Sequence, residues 1–207
     1  MAPLTQLRVA ELLDAFASNE PLPAGGSAAA LTGAVGTSLL LMVAALPRTR
    51  TGAGGETAVL ATAAVRLRPM REELIELVQR DTDSYSALLG AIRAPQTSEE
   101  ERAKRQNDIV AATYHATEVP LQTIRAAAAA LRVATDIARN GSRSASGDVA
   151  AAIELLLGAV RAACHSVDSN LAALKDTDYV TRMRAERQHL EAESQSDAEH
   201  AREALLV

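Results

Sequence analysis

The chain has no tryptophan, one phenylalanine and three tyrosines, so aromatics make up only 2% of its 207 residues. A β-sandwich or barrel, which needs aromatic and β-branched side chains on its faces, is excluded on composition. Cys164 is the single cysteine, which leaves neither an internal disulfide nor a Cys-rich zinc set. Twenty-one basic residues stand against 26 acidic ones, for a net charge of -5, with no basic cluster interleaved with aromatics. Nucleic acid is therefore not an expected partner. The opening MAPLTQLRVAELLDAF carries Arg8, Glu11 and Asp14 and is no secretory signal, so a reducing cytoplasm is the expected compartment.

Charge is also missing from the whole stretch between Glu20 and Arg48, long enough to cross a bilayer. Two prolines and two glycines at its start shorten any helix to about Ser27–Leu46. The first half of that helix is Ala, Gly, Thr and Ser, close to neutral for insertion. The expectation is a buried helix and no membrane span.

What is abundant is alanine, 44 residues, and leucine, 26 residues. Both are strong helix formers, and no strand-like alternation competes with the helical periods. The expected fold is all-α: one domain over residues 1–207, an antiparallel bundle of long, partly kinked helices. Helices are expected over 4–17, from Ser27 to Leu46, from Glu56 to Arg93 with Pro69 breaking or bending it, and from the cap signal TSEEER (Thr97–Arg102), with its early acidic residues, to Asn140 with a bend at Pro120. Asn140-Gly141 is a stop signal, and a helix from about Asp148 to Leu174 follows. The charged segment 176–207 is expected as a last helix, an exposed arm or a packing element for a second subunit, with a solvated middle. Ser27 reads as an N-cap, and Gly33 and Gly36 as sites of close helix approach.

Polar residues on apolar stripes are the informative exceptions. The stripe Leu74, Leu77/Val78, 81, Tyr85, Leu88, Ile92 places Asp81 on a buried face. A carboxyl group there is ion-paired, hydrogen-bonded between helices, or held neutral by a raised pKa, and the last is what proton transfer near neutral pH requires. Asp83 points elsewhere, to solvent. On the helix from Asp148 the stripe ends at Asn170, a helix tie or a ligand-orienting amide, and Asp148 itself reads first as a cap. His115 and His165 read as structural histidines near buried faces, and Cys164 as an inert core thiol. No histidine pair has metal-ligand spacing, so no metal is expected.

Five segments in series carry a resemblance: FASNEPLPAGGSAAALTGAVGTSLLLMV (16–43), VQRDTDSYSALLGAIRAP (78–95), ATEVPL (116–121), NGSRSASGDVAAAIELL (140–156) and SVDSNL (166–171). Together they resemble the formiminotransferase-cyclodeaminase C-terminal domain family, including its free-standing bacterial members, over roughly residues 5–195. The resemblance implies an all-α homodimer that closes 5-formimidoyltetrahydrofolate to 5,10-methenyltetrahydrofolate with loss of ammonia. The folate is the substrate, no further cofactor is needed, and a formiminotransferase is the implied supplier. Some relatives instead act as methenyltetrahydrofolate cyclohydrolases. Position by position, Gly25, Gly26 and Ser27 match the family's Gly-Gly-Ser turn, Asp81 and Tyr85 its Asp and aromatic, Asp148 its Ser-Asp segment, and Asn170 its Asn-Leu segment.

On that basis Asp81 is the candidate group for both proton transfers. Asp148 would hydrogen-bond the pterin or the cationic intermediate, the turn at Gly25–Ser27 would hold a polar edge of the ligand, and Arg48 or Arg50 would meet its glutamate tail. The chain departs from the family pattern at Ala24, Gln79, Gly147 and Ser166, and most in the loop PRTRTG (47–52). Those departures leave a third reading, a folate-binding or structural helical dimer without turnover.

Overall fold

The computed structural model describes residues 3–206; residues 1, 2 and 207 of the expected domain lie outside them. Among the described residues every regular element is helical, and the one β-bridge, Thr49 with Gly141, is isolated. Six α-helices follow in order: α1 Val9–Phe16, α2 Gly25–Ala44, α3 Gly54–Ile92, α4 Glu99–Asn140, α5 Ser146–Leu171 and α6 Thr177–Leu206.

The expected helix over 4–17 is split. A single 3-10 turn at Leu4–Gln6 precedes α1, and the extended backbone at Leu7 and Arg8 separates them. The cause is local: the Glu11 carboxylate accepts the Arg8 backbone N–H at 3.0 Å and starts α1 there, while the Leu4 N–H donates to Gln79 Oε1 on α3 at 2.9 Å.

Helices α2, α3, α4 and α5 form a ring in which each packs on the next and α5 closes back on α2. Their directions alternate. Gly26 faces Asp81 and Gly33 faces Leu74 on α3, while Gly33 faces Ala159 and Gly36 faces Ala152 on α5. The α2–α5 seam is tight because α2 shows no side chain there: a Cβ on Gly36 would lie 2.9 Å from Leu156 Cγ and 3.0 Å from the Ala152 carbonyl oxygen. With a mean hydropathy of 1.7, α2 is long and apolar enough to span a membrane, yet half of that stretch is buried inside the bundle. It is the buried helix expected from the sequence.

Neither internal proline ends its helix. α3 is continuous through Pro69 and α4 through Pro120. Each proline removes one backbone hydrogen bond, a cost of about 3 kcal/mol in an isolated helix. Tertiary burial on both sides overrides it: Leu67 and Leu74 flank Pro69, and Leu121 and Ile124 follow Pro120, all fully buried. The start of α4 is as the sequence implies, with Ser98 and Glu101 bonded reciprocally in a capping box at 3.1 Å each way.

The C-terminal helix is not an arm. α6 lies against α4 and α5, running parallel to α4 and antiparallel to α5, with Ser194, Ala198 and Ala201 completely buried. Its middle is not merely solvated either. Arg125 of α4 pairs with Glu186 at 2.7 Å, Arg187 pairs with Asp168 of α5 and, at 2.8 Å, with Glu191, and Arg202 pairs with Glu154 at 2.7 Å. Small residues at the seam let the helix approach closely, and charges along its rims fix its register.

Candidate functional site

The first turn of α2, the C-terminal third of α3, Ala116 of α4 and the last turns of α5 converge on a cleft of about 380 Å³ at one end of the bundle. Gly25, Gly26, Asp81, Ser84, Tyr85, His165, Ser166, Ser169 and Asn170 line it. Of the sequence-derived candidates, Gly25, Gly26, Asp81, Tyr85 and Asn170 thus meet in one place.

Ser27 does not cap α2. The capping position is Ala24, and Ser27 sits inside the first turn, fully buried. Its hydroxyl points across the seam instead and donates to Asp81 Oδ2 at 3.1 Å. With that proton committed, Thr82 Oγ1 is the donor in the 2.9 Å contact with Ser27 Oγ. The sequence pattern had drawn attention to the wrong partner: the hydroxyl serves a carboxyl 54 positions away rather than its own helix end.

Gly26 explains why the turn needs glycine. A Cβ there would stand 2.1 Å from Asp81 Oδ1 and 2.5 Å from its Cγ, so the carboxyl group occupies the space a side chain would fill. A Cβ on Gly25 meets nothing within 4 Å and would enter the cleft. Asp81 is 9% exposed and has no cationic partner among the described residues. Burial raises its pKa above the ordinary 3.8, opposed in part by the Ser27 hydroxyl and backbone N–H, which favour the ionised form. The ion-pair explanation left open by the sequence is therefore replaced by a desolvated, hydrogen-bonded carboxyl group at a cleft. Asp83 is exposed, as expected, and accepts from Gln79 Nε2 at 2.8 Å.

On the facing wall the Asn170 amide donates to the Ala116 carbonyl at 2.7 Å, tying α5 to α4 at the cleft's edge. Its other atoms remain available to a ligand. Tyr85 is 36% exposed and offers the cleft a ring and a hydroxyl.

The other candidates lie elsewhere in this chain. Asp148 is exposed in the first turn of α5, which Ala145 caps, and about 30 Å from Asn170 along the helix axis. Arg48 and Arg50 follow the far end of α2, again about 30 Å from Gly25. Arg50 is engaged at that end: it donates to the Leu205 carbonyl at 3.2 Å and the Ala138 carbonyl at 3.5 Å, near the C-termini of α6 and α4, where a cation complements the helix dipoles. Arg48 is exposed and makes no hydrogen bond among the described residues. The altered loop around it is organised by Glu56, whose carboxylate accepts from Thr49 Oγ1 at 2.6 Å, Thr51 N at 3.0 Å and Gly52 N at 3.1 Å. These bonds hold its pKa at about 2.

Two expectations about isolated residues diverge. Cys164 is an inert core thiol, buried and pushed up to about 12 by desolvation. His165, expected beside a buried face, is exposed and lines the cleft, and His115 is exposed as well. Sequence periodicity missed His165 because it falls just off the α5 stripe; the i, i+3, i+4, i+7 spacing of Ala162, His165, Ser166 and Ser169, which all line the cleft, was the available signal.

A family model described as formiminotransferase-cyclodeaminase matches residues 8–189. The chain is 30% identical over 182 residues to a methenyltetrahydrofolate cyclohydrolase from Methylorubrum extorquens, covering 88% of both chains. It is 26% identical over 176 residues to the formimidoyltransferase-cyclodeaminase of Rattus norvegicus, of whose length it spans 32%. In fold it is similar to a formiminotetrahydrofolate cyclodeaminase from Thermotoga maritima, with a TM-score of 0.85 at 22% identity over 97% of this chain and 96% of that one.

Proposed function

Because this chain belongs to the formiminotransferase-cyclodeaminase family, we propose that it acts on a reduced folate, closing 5-formimidoyltetrahydrofolate to 5,10-methenyltetrahydrofolate with release of ammonia. The observation that carries this reading is Asp81: a buried carboxyl group without a cation, held by Ser27 and open to a cleft beside Gly25.

The chemistry asks for orientation and two proton movements. N10 adds to the carbon of the protonated formimidoyl group, forming the C–N10 bond, and loses its proton. The former imino nitrogen gains a proton and leaves as ammonia as its C–N bond breaks. The positive charge stays on the N5–CH–N10 bridge. A carboxylate with a raised pKa is a stronger base than an ordinary one and suits the first transfer. General acid–base catalysis of this kind contributes roughly 10²–10⁴-fold, with orientation supplying much of the rest. No metal or redox group is needed, and the folate is substrate.

The protein acts as a cytoplasmic homodimer in this reading, with a formiminotransferase as the source of its substrate. Asp148 and Arg48 reach a cleft only if a second copy lies antiparallel to the first. Asp148 then bonds the pterin or the cationic intermediate, and Arg48 meets the glutamate tail. Arg50, already used at the bundle end, does not.

The similarity to the Methylorubrum protein favours a second reaction in the same cleft, hydrolysis of the methenyl bridge with water as nucleophile. Mixing pure protein with 5-formimidoyltetrahydrofolate and following the methenyl chromophore and ammonia tests the first. Supplying methenyltetrahydrofolate, with spontaneous hydrolysis subtracted, tests the second. Calorimetric folate binding with neither turnover would identify a binding protein.

A further inference from the structure

His165 is the one ionisable side chain on the α5 wall of the cleft. It is exposed, and its imidazole has no hydrogen-bond partner among the described residues; only its backbone carbonyl is engaged, by Ser169 Oγ at 2.9 Å. The fold therefore makes no use of the ring. Around it, α2 carries no ionisable residue, α3 presents Asp81 and Tyr85, and α4 presents Ala116. The nearest charges on its own helix, Arg161 and Asp168, are turned to α6, where they bond Gln195 and Arg187.

The proton balance of the proposed reaction has an unfilled place. One proton leaves N10 and another must reach the departing nitrogen, both atoms being bonded to the bridging carbon. A base on one wall and an acid on the other each start in the protonation state its own transfer needs, whereas a single group must first take one proton and then turn to deliver it. Imidazole is the side chain that ordinarily holds a transferable proton near neutrality.

Resting on the folate reading above, we propose that His165 is the general acid that protonates the departing nitrogen, while Asp81 on the facing wall takes the proton from N10. As the C–NH₂ bond breaks, the imidazolium gives its proton to the amine, which leaves as ammonia. The neutral ring and the protonated carboxyl group then reset by exchange with solvent.

The test compares the parent with His165→Ala and His165→Gln on 5-formimidoyltetrahydrofolate across pH, with 5-formyltetrahydrofolate as the probe for binding by calorimetry. The inference expects kcat to fall about 10²-fold in both variants with binding of the probe unchanged. The alkaline fall of kcat in the parent, where the acid loses its proton, disappears in both. Added imidazole restores kcat in His165→Ala, an effect a structural role would not give. A parent that turns over while the variants match its rate and pH profile overturns the inference and leaves the folate reading standing. Lost binding of the probe with kcat unchanged also overturns it, making His165 a binding group. A parent that neither binds the probe nor turns over overturns the folate reading, and this inference with it.

Discussion

The Ser27 hydroxyl donates to Asp81 Oδ2 across 3.1 Å, and the space through which it does so exists because Gly26 has no side chain. Two neighbouring small residues on α2 thus do different things for one carboxyl group on α3: Gly26 leaves room for it, and Ser27 offsets part of the burial that raises its pKa. The site is a property of the α2–α3 seam, and its consequences can be measured there.

Asp81 should make the protein less stable as pH rises. Its folded-state pKa lies above the ordinary 3.8, so the folded chain holds the proton more tightly than the unfolded one. The stability this contributes is present below the ordinary value and is lost as pH rises through the raised one. Asp81→Asn should therefore gain in Tm over the parent as pH rises above the ordinary carboxylate value of 3.8, while losing turnover by roughly 10²-fold or more. Thermal melts across that range, with parallel assays, check both halves.

Ser27→Ala removes a hydrogen bond that favours the ionised carboxylate, so the pKa of Asp81 should climb further. The acidic limb of kcat/KM should move to higher pH, with turnover retained above it. A limb that stays in place would show that Asp81 is not the titrating base.

The paired glycines of the turn should respond oppositely. Gly26→Ala puts a methyl group inside the Asp81 carboxyl and should displace it, costing about 1–3 kcal/mol by overpacking and abolishing turnover. Gly25→Ala meets no atom within 4 Å, so its unfolding free energy should stay within about 0.5 kcal/mol of the parent while KM rises. Urea denaturation and steady-state kinetics separate the two effects.

A similar contrast applies to packing alone. Gly36→Ala collides with Leu156 and the Ala152 carbonyl and should destabilise by about 1–3 kcal/mol, although alanine is the better helix former. Gly158→Ala, exposed in α5 with nothing within 4 Å, should stabilise by about 0.5–1 kcal/mol.

Glu56 should make the 49–52 loop acid-sensitive. Its pKa is lowered to about 2, so the order it contributes is complete above the ordinary 4.5 and is lost as pH falls through about 2. Protection of the Thr51 and Gly52 amides from hydrogen exchange, taken relative to their intrinsic rates at each pH, should fall over that window in the parent. In Glu56→Ala that protection should be absent at every pH.

Much of this was readable in the residues. The Ala- and Leu-rich periods implied the bundle, the charge-free stretch implied a buried helix, and Asp81 on the Leu74–Leu88 stripe implied a carboxyl group under unusual conditions. The misreadings have a common cause. Ser27 looked like a cap, Pro69 like a break or a bend, His165 like a structural histidine near a buried face, and α6 like an arm or a packing element for a second subunit, because each was judged against its own helix. Side-chain partners 54 positions away and burial supplied by other helices do not register in local periodicity.

The helices and the face each must bury follow from the order of the residues, since hydrophobic period and backbone propensity act within a few turns. Which polar groups meet does not. Long-range packing brought Gly26, Asp81, His165 and Asn170 to one cleft and left Asp148, Arg48 and Arg50 about 30 Å away at the other end. The physical reason is that helix faces fix only a direction, whereas a cleft depends on how far neighbouring helices slide and how closely they approach, and here both are governed by glycines that let α2 touch its neighbours.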